Sequence, residues 1–158
     1  MRTLLRRAAQ TGTALLLAAG ALTLTGGSAQ AATYDGADPA STYCGGTTST
    51  VRSATITGPN DGYNRGTIEL RYNSACRTTW ARITLTNPQG WCGNASAGVA
   101  CALAQVTRNS DGRTYSCHVP QGSTSCYTPM VNDAGVTSYA YAELDWASGV
   151  SHTYTGSY

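Results

Sequence analysis

The sequence predicts a small all-β domain, an antiparallel sandwich or barrel of about seven short strands stabilised by disulfides. Three observations support this fold class. Apolar and polar residues alternate over several short runs, turn sequences rich in Gly, Asn, Asp and Pro separate the runs, and six cysteines follow the N-terminal leader. No segment repeats apolar residues at i, i+3 and i+4 for long enough to predict a helix.

The clearest pair of strands lies at residues 66–85, around which the rest of the chain is organised. Side chains of a strand alternate between its two faces, so each strand here has one apolar and one polar face. The apolar faces carry Ile68, Leu70, Tyr72, Ala81, Ile83 and Leu85. The opposite faces carry Thr67, Glu69, Arg71, Trp80, Arg82 and Thr84. The Asn73-Ser74 pair between the strands favours a turn.

Further strands are predicted on both sides of this hairpin. They cover residues 50–57, 100–108, 113–119, 139–146 and, less clearly, 150–158. Turn sequences at residues 58–62, 87–90 and 109–112 separate them. The run at 139–146 alternates most strictly: one face has Ala140, Ala142, Leu144 and Trp146, and the other has Tyr139, Tyr141, Glu143 and Asp145.

The N-terminus has the three parts of a secretory signal peptide. Arg2, Arg6 and Arg7 form a positive region, residues 13–24 are apolar, and Ala29-Gln30-Ala31 is a cleavage sequence. We therefore expect a signal peptide at 1–31 and a single secreted, extracellular domain at 32–158. The apolar run is too short for a stable membrane span, so no membrane contact is expected after cleavage.

Cleavage at this site changes the net charge. The full chain carries +2, and the exported part keeps seven arginines against eight acidic residues, a net charge of −1. A balanced charge without a basic patch does not favour nucleic acid as a partner. We expect a monomer that meets an extracellular ligand, such as a cell-wall polymer or a protein.

All six cysteines lie in the exported part, and an even count in a secreted chain predicts disulfides. Two spacings are identical, each with eight residues between the cysteines. We therefore predict the local pairs Cys92–Cys101 and Cys117–Cys126, which leaves Cys44–Cys76. No C-x-x-C pair is present, which argues against a redox motif or a zinc ribbon.

Candidate catalytic residues are few. The exported part has two histidines, His118 and His152, and neither belongs to a recognisable nucleophile motif. Glu143 and Asp145 share one strand face, where a solvated surface is the simpler interpretation, although glycosidases use two carboxylates. We therefore predict no catalytic residue and favour a non-catalytic protein. A small hydrolase using His118 or the Glu143/Asp145 pair stays open as an alternative.

Metal binding and protease inhibition are two further functional classes. Asp35, Asp38, Asn132 and Asp133 offer oxygen ligands, but they lack the carboxylate density of a calcium loop and suit turns. We expect neither a metal nor a cofactor. The loop at 120–125, closed by its flanking cysteines, could present a rigid segment to a protease, so a secreted protease inhibitor is a further alternative.

Two sets of residues are candidates for ligand binding. Tyr139 and Tyr141 lie on one predicted strand face and could stack on sugars or contact a protein. Arg71, Trp80 and Arg82 share a predicted face with Glu69. This second set either forms a structural cluster that stabilises the hairpin or binds an anionic ligand through its arginines.

Several of these residues fall in motifs of a known family. The segments at residues 35–39 (DGADP), 42–44 (TYC), 69–82 (ELRYNSACRTTWAR) and, more weakly, 127–133 resemble the domain-of-unknown-function family numbered 2690. The resemblance implies a small exported bacterial protein in which Cys44 and Cys76 are partners. This chain has Tyr43 where glycine is usual and Tyr34 where many relatives carry cysteine. The family has no assigned activity, so no catalytic residue is carried over.

Overall fold

The computed structural model describes residues 34–90, 102–146 and 149–158, and this part of the chain forms nine β-strands. They are β1 (Thr48–Thr57), β2 (Asn64–Asn73), β3 (Thr78–Leu85), β4 (Ala102–Arg108), β5 (Thr114–His118), β6 (Ser125–Tyr127), β7 (Val131–Asn132), β8 (Ser138–Trp146) and β9 (Gly149–Tyr154). No helix in these residues has the length and apolar character needed to cross a membrane. The predicted signal peptide at 1–31 lies outside the described residues and stays a prediction.

The strands form two antiparallel sheets, which resolves the choice between a sandwich and a barrel in favour of a sandwich. The first sheet has the order β1-β2-β3-β6, and β7 also pairs with β3. The second sheet has the order β5-β4-β8-β9. The all-β antiparallel fold class is confirmed. Seven of the described strands have five or more residues, and these are the seven that the sequence predicts. The short β6 and β7 were not predicted.

The core lies between the two sheets and consists of the apolar faces that alternation predicts. Ile68, Leu70 and Ile83 from the first sheet are fully buried, and they face Ala142 and Leu144 of the second. Burying one such Ile or Leu side chain stabilises the fold by roughly 1.5–3 kcal/mol. The orientation of the Trp146 side chain, predicted to share this face, lies outside the described part.

Two disulfides fasten segments that the sheets alone do not hold. Cys44 is bonded to Cys76, with Cα atoms 5.4 Å apart, and Cys117 is bonded to Cys126, with Cα atoms 6.2 Å apart. The first joins the N-terminal arm, residues 34–47, to the turn between β2 and β3. The second joins β5 to β6 and so links the two sheets. The predicted Cys92–Cys101 pair lies outside the described residues.

The turn between β2 and β3 is longer than the predicted Asn73-Ser74 pair. The side-chain oxygen of Asn73 accepts hydrogen bonds from the backbone N–H groups of Ala75 and Cys76, at 2.9 and 3.0 Å. Arg77 then adopts a positive φ of 52°, which is uncommon for a residue other than glycine. Its carbonyl accepts a hydrogen bond from Asp133 N–H, which fixes the turn against the segment after β7.

Candidate binding faces

The structure divides the predicted binding residues between two surfaces. Tyr139 and Tyr141 lie on β8, on the solvent side of the second sheet. Arg71, Trp80 and Arg82 lie on β2 and β3, on the side of the first sheet that faces away from the core. The two sets are therefore on opposite sides of the sandwich and cannot form one site.

The β8–β9 pairing assembles a larger aromatic surface than the sequence predicts. Tyr141 lies opposite Tyr154, and Glu143 lies opposite His152. We call the surface formed by Tyr139, Tyr141, Glu143, His152 and Tyr154 the tyrosine face. Tyr154 is 59% exposed. His152 and Tyr154 alternate with other residues in the final strand, and this pattern is the signal that could have placed both on one exposed strand face.

The three tyrosine rings are in mutual contact. The ring centroids of Tyr141 and Tyr154 are 4.8 Å apart, and those of Tyr139 and Tyr154 are 6.1 Å apart. Both pairs are tilted, by 43° and 46°. Tilted contacts at these distances are favourable for aromatic rings, so the cluster holds its own geometry without a ligand.

A hydrogen-bond chain fixes the central ring. The Tyr141 hydroxyl donates to Glu143 Oε2 at 2.6 Å and lies 2.6 Å from His152 Nδ1. With the hydroxyl proton directed to Glu143, the Tyr141 oxygen accepts from His152 Nδ1, in the imidazole tautomer that carries its proton on Nδ1. The His152 ring is also stacked on Tyr141, with centroids 5.9 Å apart. Burial, followed by donation to Glu143, raises the pKa of Tyr141, so its hydroxyl stays protonated at any physiological pH.

The other candidate catalytic residues do not join this chain of contacts. His118 is exposed on β5, and in the strand register Leu103 of β4 lies between it and Glu143. Asp145 lies two residues beyond Glu143 on the same strand face, opposite Val150. Within the described residues, no cluster of three or more His, Cys, Asp or Glu side chains could hold a metal ion.

The second candidate surface centres on Trp80. Strand alternation places Trp80 on the polar face of β3, as predicted, but its side chain is only 8% exposed. This residue is buried because the N-terminal arm packs over the end of the first sheet. Trp80 forms part of the wall of a cleft of about 360 Å³, together with Pro39, Thr42, Tyr43, Cys44, Asn73 and Met130.

The arginines beside Trp80 have separate environments. Arg71 lies opposite Trp80 and Glu69 lies opposite Arg82 in the β2–β3 register, so the four residues are neighbours as predicted. Arg71 pairs with Glu69 of its own strand, with Nη1 and Oε2 3.5 Å apart. Arg82 is exposed and makes no ion pair in the described part of the chain. No arginine there lies over the Trp80 ring.

The DGADP segment has a structural role that the sequence analysis did not identify. Asp35 accepts hydrogen bonds from Arg108 Nη1, at 3.1 and 3.0 Å, and from the backbone N–H of Asn132, at 2.6 Å. Gly36 and Ala37 exchange backbone hydrogen bonds with Met130. The two motif segments at 35–39 and 127–133 therefore hold each other, and Asp35 is a structural anchor between them.

Asp133, the other predicted oxygen donor, is buried. Its Oδ1 accepts a hydrogen bond from the Ser138 hydroxyl at 2.8 Å. Burial raises the pKa of Asp133 to about 6, although the Ser138 hydrogen bond and the charge of Arg108 act in the opposite direction. Asp133 is thus a carboxyl group whose protonation is coupled to folding rather than an exposed ligand.

These features define a disulfide-bonded β-sandwich with an aromatic face open to solvent, and disulfides of this kind indicate an oxidising environment. The model of the family described as "Protein of unknown function (DUF2690)" matches residues 32–141, and the chain belongs to that family. The resemblance seen in the sequence motifs is confirmed. The chain is also similar to "Uncharacterized protein YjfA" of Bacillus subtilis (strain 168), with 35% identity over 133 residues, 79% of this chain and 80% of that protein. No solved structure matches the chain significantly.

Proposed function

We propose that the chain is a secreted, non-catalytic binding module whose tyrosine face binds a cell-wall carbohydrate polymer. The observation that carries the proposal is the contact of Tyr139, Tyr141 and Tyr154 on one open sheet face. A sugar ring has apolar C–H surfaces and a rim of hydroxyls, and tyrosine offers an apolar ring with a polar tip. A face that spans two strands suits an extended polymer better than a small enclosed ligand.

The fixed position of the central tyrosine supports this function. Glu143 and His152 hold the Tyr141 hydroxyl from two directions. Binding therefore costs little side-chain entropy, because the ring is already ordered in the free protein. The hydroxyls of Tyr139 and Tyr154 make no hydrogen bond within the described part of the chain, and they are free to contact the hydroxyls of a sugar.

Two alternatives are less well supported. An inhibitor needs a loop whose backbone can pair with a protease. The backbone of the 120–125 loop is already paired within the domain. Gly122 N–H donates to Gln89 O. The carbonyls of Ser123 and Thr124 accept from the N–H groups of Gln89 and Leu85. A hydrolase that uses His118 would need a partner for this histidine, and Leu103 separates it from Glu143.

A sedimentation assay tests the proposal. The oxidised mature domain is mixed with insoluble bacterial cell wall, and the bound fraction is measured for wild type and Tyr154→Ala. We expect wild type to sediment with the polymer and Tyr154→Ala to lose about tenfold in affinity, since an exposed aromatic anchor carries much of such a contact. Tyr63→Ala, which removes a 70% exposed tyrosine from the connection between β1 and β2, is the matched control. Equal binding by both variants and wild type would refute the assignment to this face.

The enzyme and inhibitor alternatives have their own measurements. Turnover on a panel of hydrolase substrates that His118→Ala or Glu143→Gln abolishes would replace the binding module with an enzyme. Inhibition of a trypsin-like or subtilisin-like protease at micromolar protein would favour the inhibitor. We expect neither activity.

A further inference from the structure

We infer that the tyrosine face selects polymers that carry protonated amines, so its preferred ligand is a de-N-acetylated amino sugar chain. This inference rests on the proposed function and names the substrate class of the same face. The observation behind it is the pair of carboxylates, Glu143 and Asp145, that lies beside the three tyrosines.

Four of the eight acidic residues in the described chain are engaged by arginine. Asp35 and Asp111 both bind Arg108, Asp61 binds Arg65, and Glu69 binds Arg71. Glu143 and Asp145 belong to the other half, and both lie on the strand face that carries the tyrosine rings. They lie two residues apart on the solvent side of β8, and neither forms an ion pair with an arginine in the described residues.

The surroundings of these two carboxylates are aromatic, and His152 Nδ1 lies 3.7 Å from Glu143 Oε2. In the described part of the second sheet, the outer positions of β4 and β5 are Leu103, Gln105, Thr107, Thr114, Ser116 and His118. No arginine lies among them. One oxygen of Glu143 accepts from Tyr141, while Oε1 makes no hydrogen bond within the described chain. The tyrosine face and the adjacent Asp145 therefore combine tyrosine rings with two carboxylates that have no arginine partner in the described residues.

This combination is complementary to a protonated amine attached to a ring. A cation is attracted both to a carboxylate and to the face of a tyrosine ring, and the attraction grows when the group is partly desolvated. The N-acetyl group of an ordinary amino sugar is neutral and cannot make these contacts. The free hydroxyls of Tyr139 and Tyr154 favour a hydroxyl-rich amino sugar over a lysine-rich peptide.

Titration calorimetry with two soluble oligomers tests the inference. The probes are a β-1,4-linked glucosamine hexamer and the N-acetylglucosamine hexamer of the same length, each titrated into the oxidised mature domain. We expect the glucosamine hexamer to bind about tenfold more tightly, because one charge-assisted hydrogen bond supplies about that factor. This advantage should fall as salt concentration rises.

Two conservative variants identify the groups responsible. Glu143→Gln keeps an oxygen that can accept from Tyr141, and Asp145→Asn keeps the size of the side chain. Together they should reduce the affinity for the glucosamine hexamer to that for the N-acetylated hexamer, so that the preference disappears. Asp38→Asn removes the same charge from the exposed arm on the other sheet, and we expect it to keep the full preference.

The outcomes separate the inference from the proposed function. Equal affinity for the two hexamers, lost in both cases by Tyr154→Ala, would overturn the amine preference and keep the carbohydrate face. No binding of either hexamer or of cell wall would overturn both. Oligolysine that binds as tightly as the glucosamine hexamer, with no effect of Tyr154→Ala, would show a general cation surface and also overturn the inference.

Discussion

Arg108 on β4 binds the carboxylate of Asp35 across 73 residues of sequence, with its Nη1 3.0 Å from Oδ2 and both side chains largely buried. The same guanidinium also holds Asp111 in the turn after β4, through Nε and Nη2. Its contacts with both carboxylates raise the pKa of Arg108 and the contact with Arg108 lowers the pKa of Asp111, so this pair stays charged at physiological pH. The start of the described chain is thereby fixed to the second sheet.

The first prediction follows from this ion pair. Asp35→Ala removes one of the two carboxylates that pair with the buried Arg108 guanidinium, and it also removes the acceptor of Asn132 N–H. We therefore expect the free energy of unfolding to fall by about 3 kcal/mol. Chemical denaturation monitored by tryptophan fluorescence measures it. Asp38→Ala, an exposed acid on the same arm, should cost less than about 1 kcal/mol. Similar losses in the two variants would contradict the anchoring role.

A second prediction concerns the pH dependence of stability. Burial raises the pKa of Asp133 to about 6, whereas the ordinary value is 3.8. Between these two values the folded protein binds a proton that the unfolded chain has lost, so stability falls as pH rises through this window and is level above it. The contribution is about 2–3 kcal/mol at most.

Asp133→Asn isolates this effect, because the amide keeps an oxygen that can accept from Ser138. We expect the variant and wild type to unfold with similar free energies near pH 4. At pH 7 the variant should be more stable by about 2 kcal/mol, since it carries no charge to bury. Parallel stability curves across this range would show that Asp133 does not titrate with the raised pKa.

The third prediction concerns the covalent structure. We expect Cys44–Cys76, Cys117–Cys126 and the predicted Cys92–Cys101 in the oxidised protein, with no free thiol. Replacing Cys44 and Cys76 together by alanine should lower stability by about 2–4 kcal/mol, because the bond closes a loop that includes the whole of β1 and β2. Non-reducing peptide mapping checks the pairing. A peptide in which Cys92 is joined to Cys117 would refute the scheme.

Local patterns predicted the fold well because alternation reports which side of a strand faces the core. Ile68, Leu70 and Ile83 lie in the core for this reason, as do Ala140 and Ala142. The short strands β6 and β7 were not predicted, because two or three residues are too few to show an alternating apolar pattern. Their pairing with β3 depends on the disulfide at Cys126 and on the hydrogen bonds of the N-terminal arm to Met130.

The candidate sites were predicted only in part, for a related physical reason. A sequence shows which residues share a strand face, as it did for Tyr139, Tyr141 and Glu143, but not which neighbouring strand lies beside them. Tyr154 and His152 join this face through the β8–β9 register. In the same way, no strand pattern predicts that an irregular arm covers Trp80.

The last prediction separates Trp80 from Arg82, which the sequence analysis treats as one cluster. Trp80 is buried in the wall of the cleft beneath the arm, and no arginine of the described residues lies over its ring. Trp80→Ala should therefore lower the free energy of unfolding by about 3–5 kcal/mol and loosen the arm. Arg82 is exposed and unpaired within the described residues, so Arg82→Ala should change it by less than about 0.5 kcal/mol.

Melting temperature and protease sensitivity of the arm measure the two effects independently. Trp80→Phe keeps an aromatic ring in the cleft and should recover part of the loss, which distinguishes packing from a general effect of substitution. If Arg82→Ala instead lowers stability as much as Trp80→Ala, the two side chains act as one structural cluster. If Arg82→Ala leaves stability unchanged but abolishes binding to anionic cell-wall polymer, the exposed guanidinium belongs to a second ligand site on the first sheet.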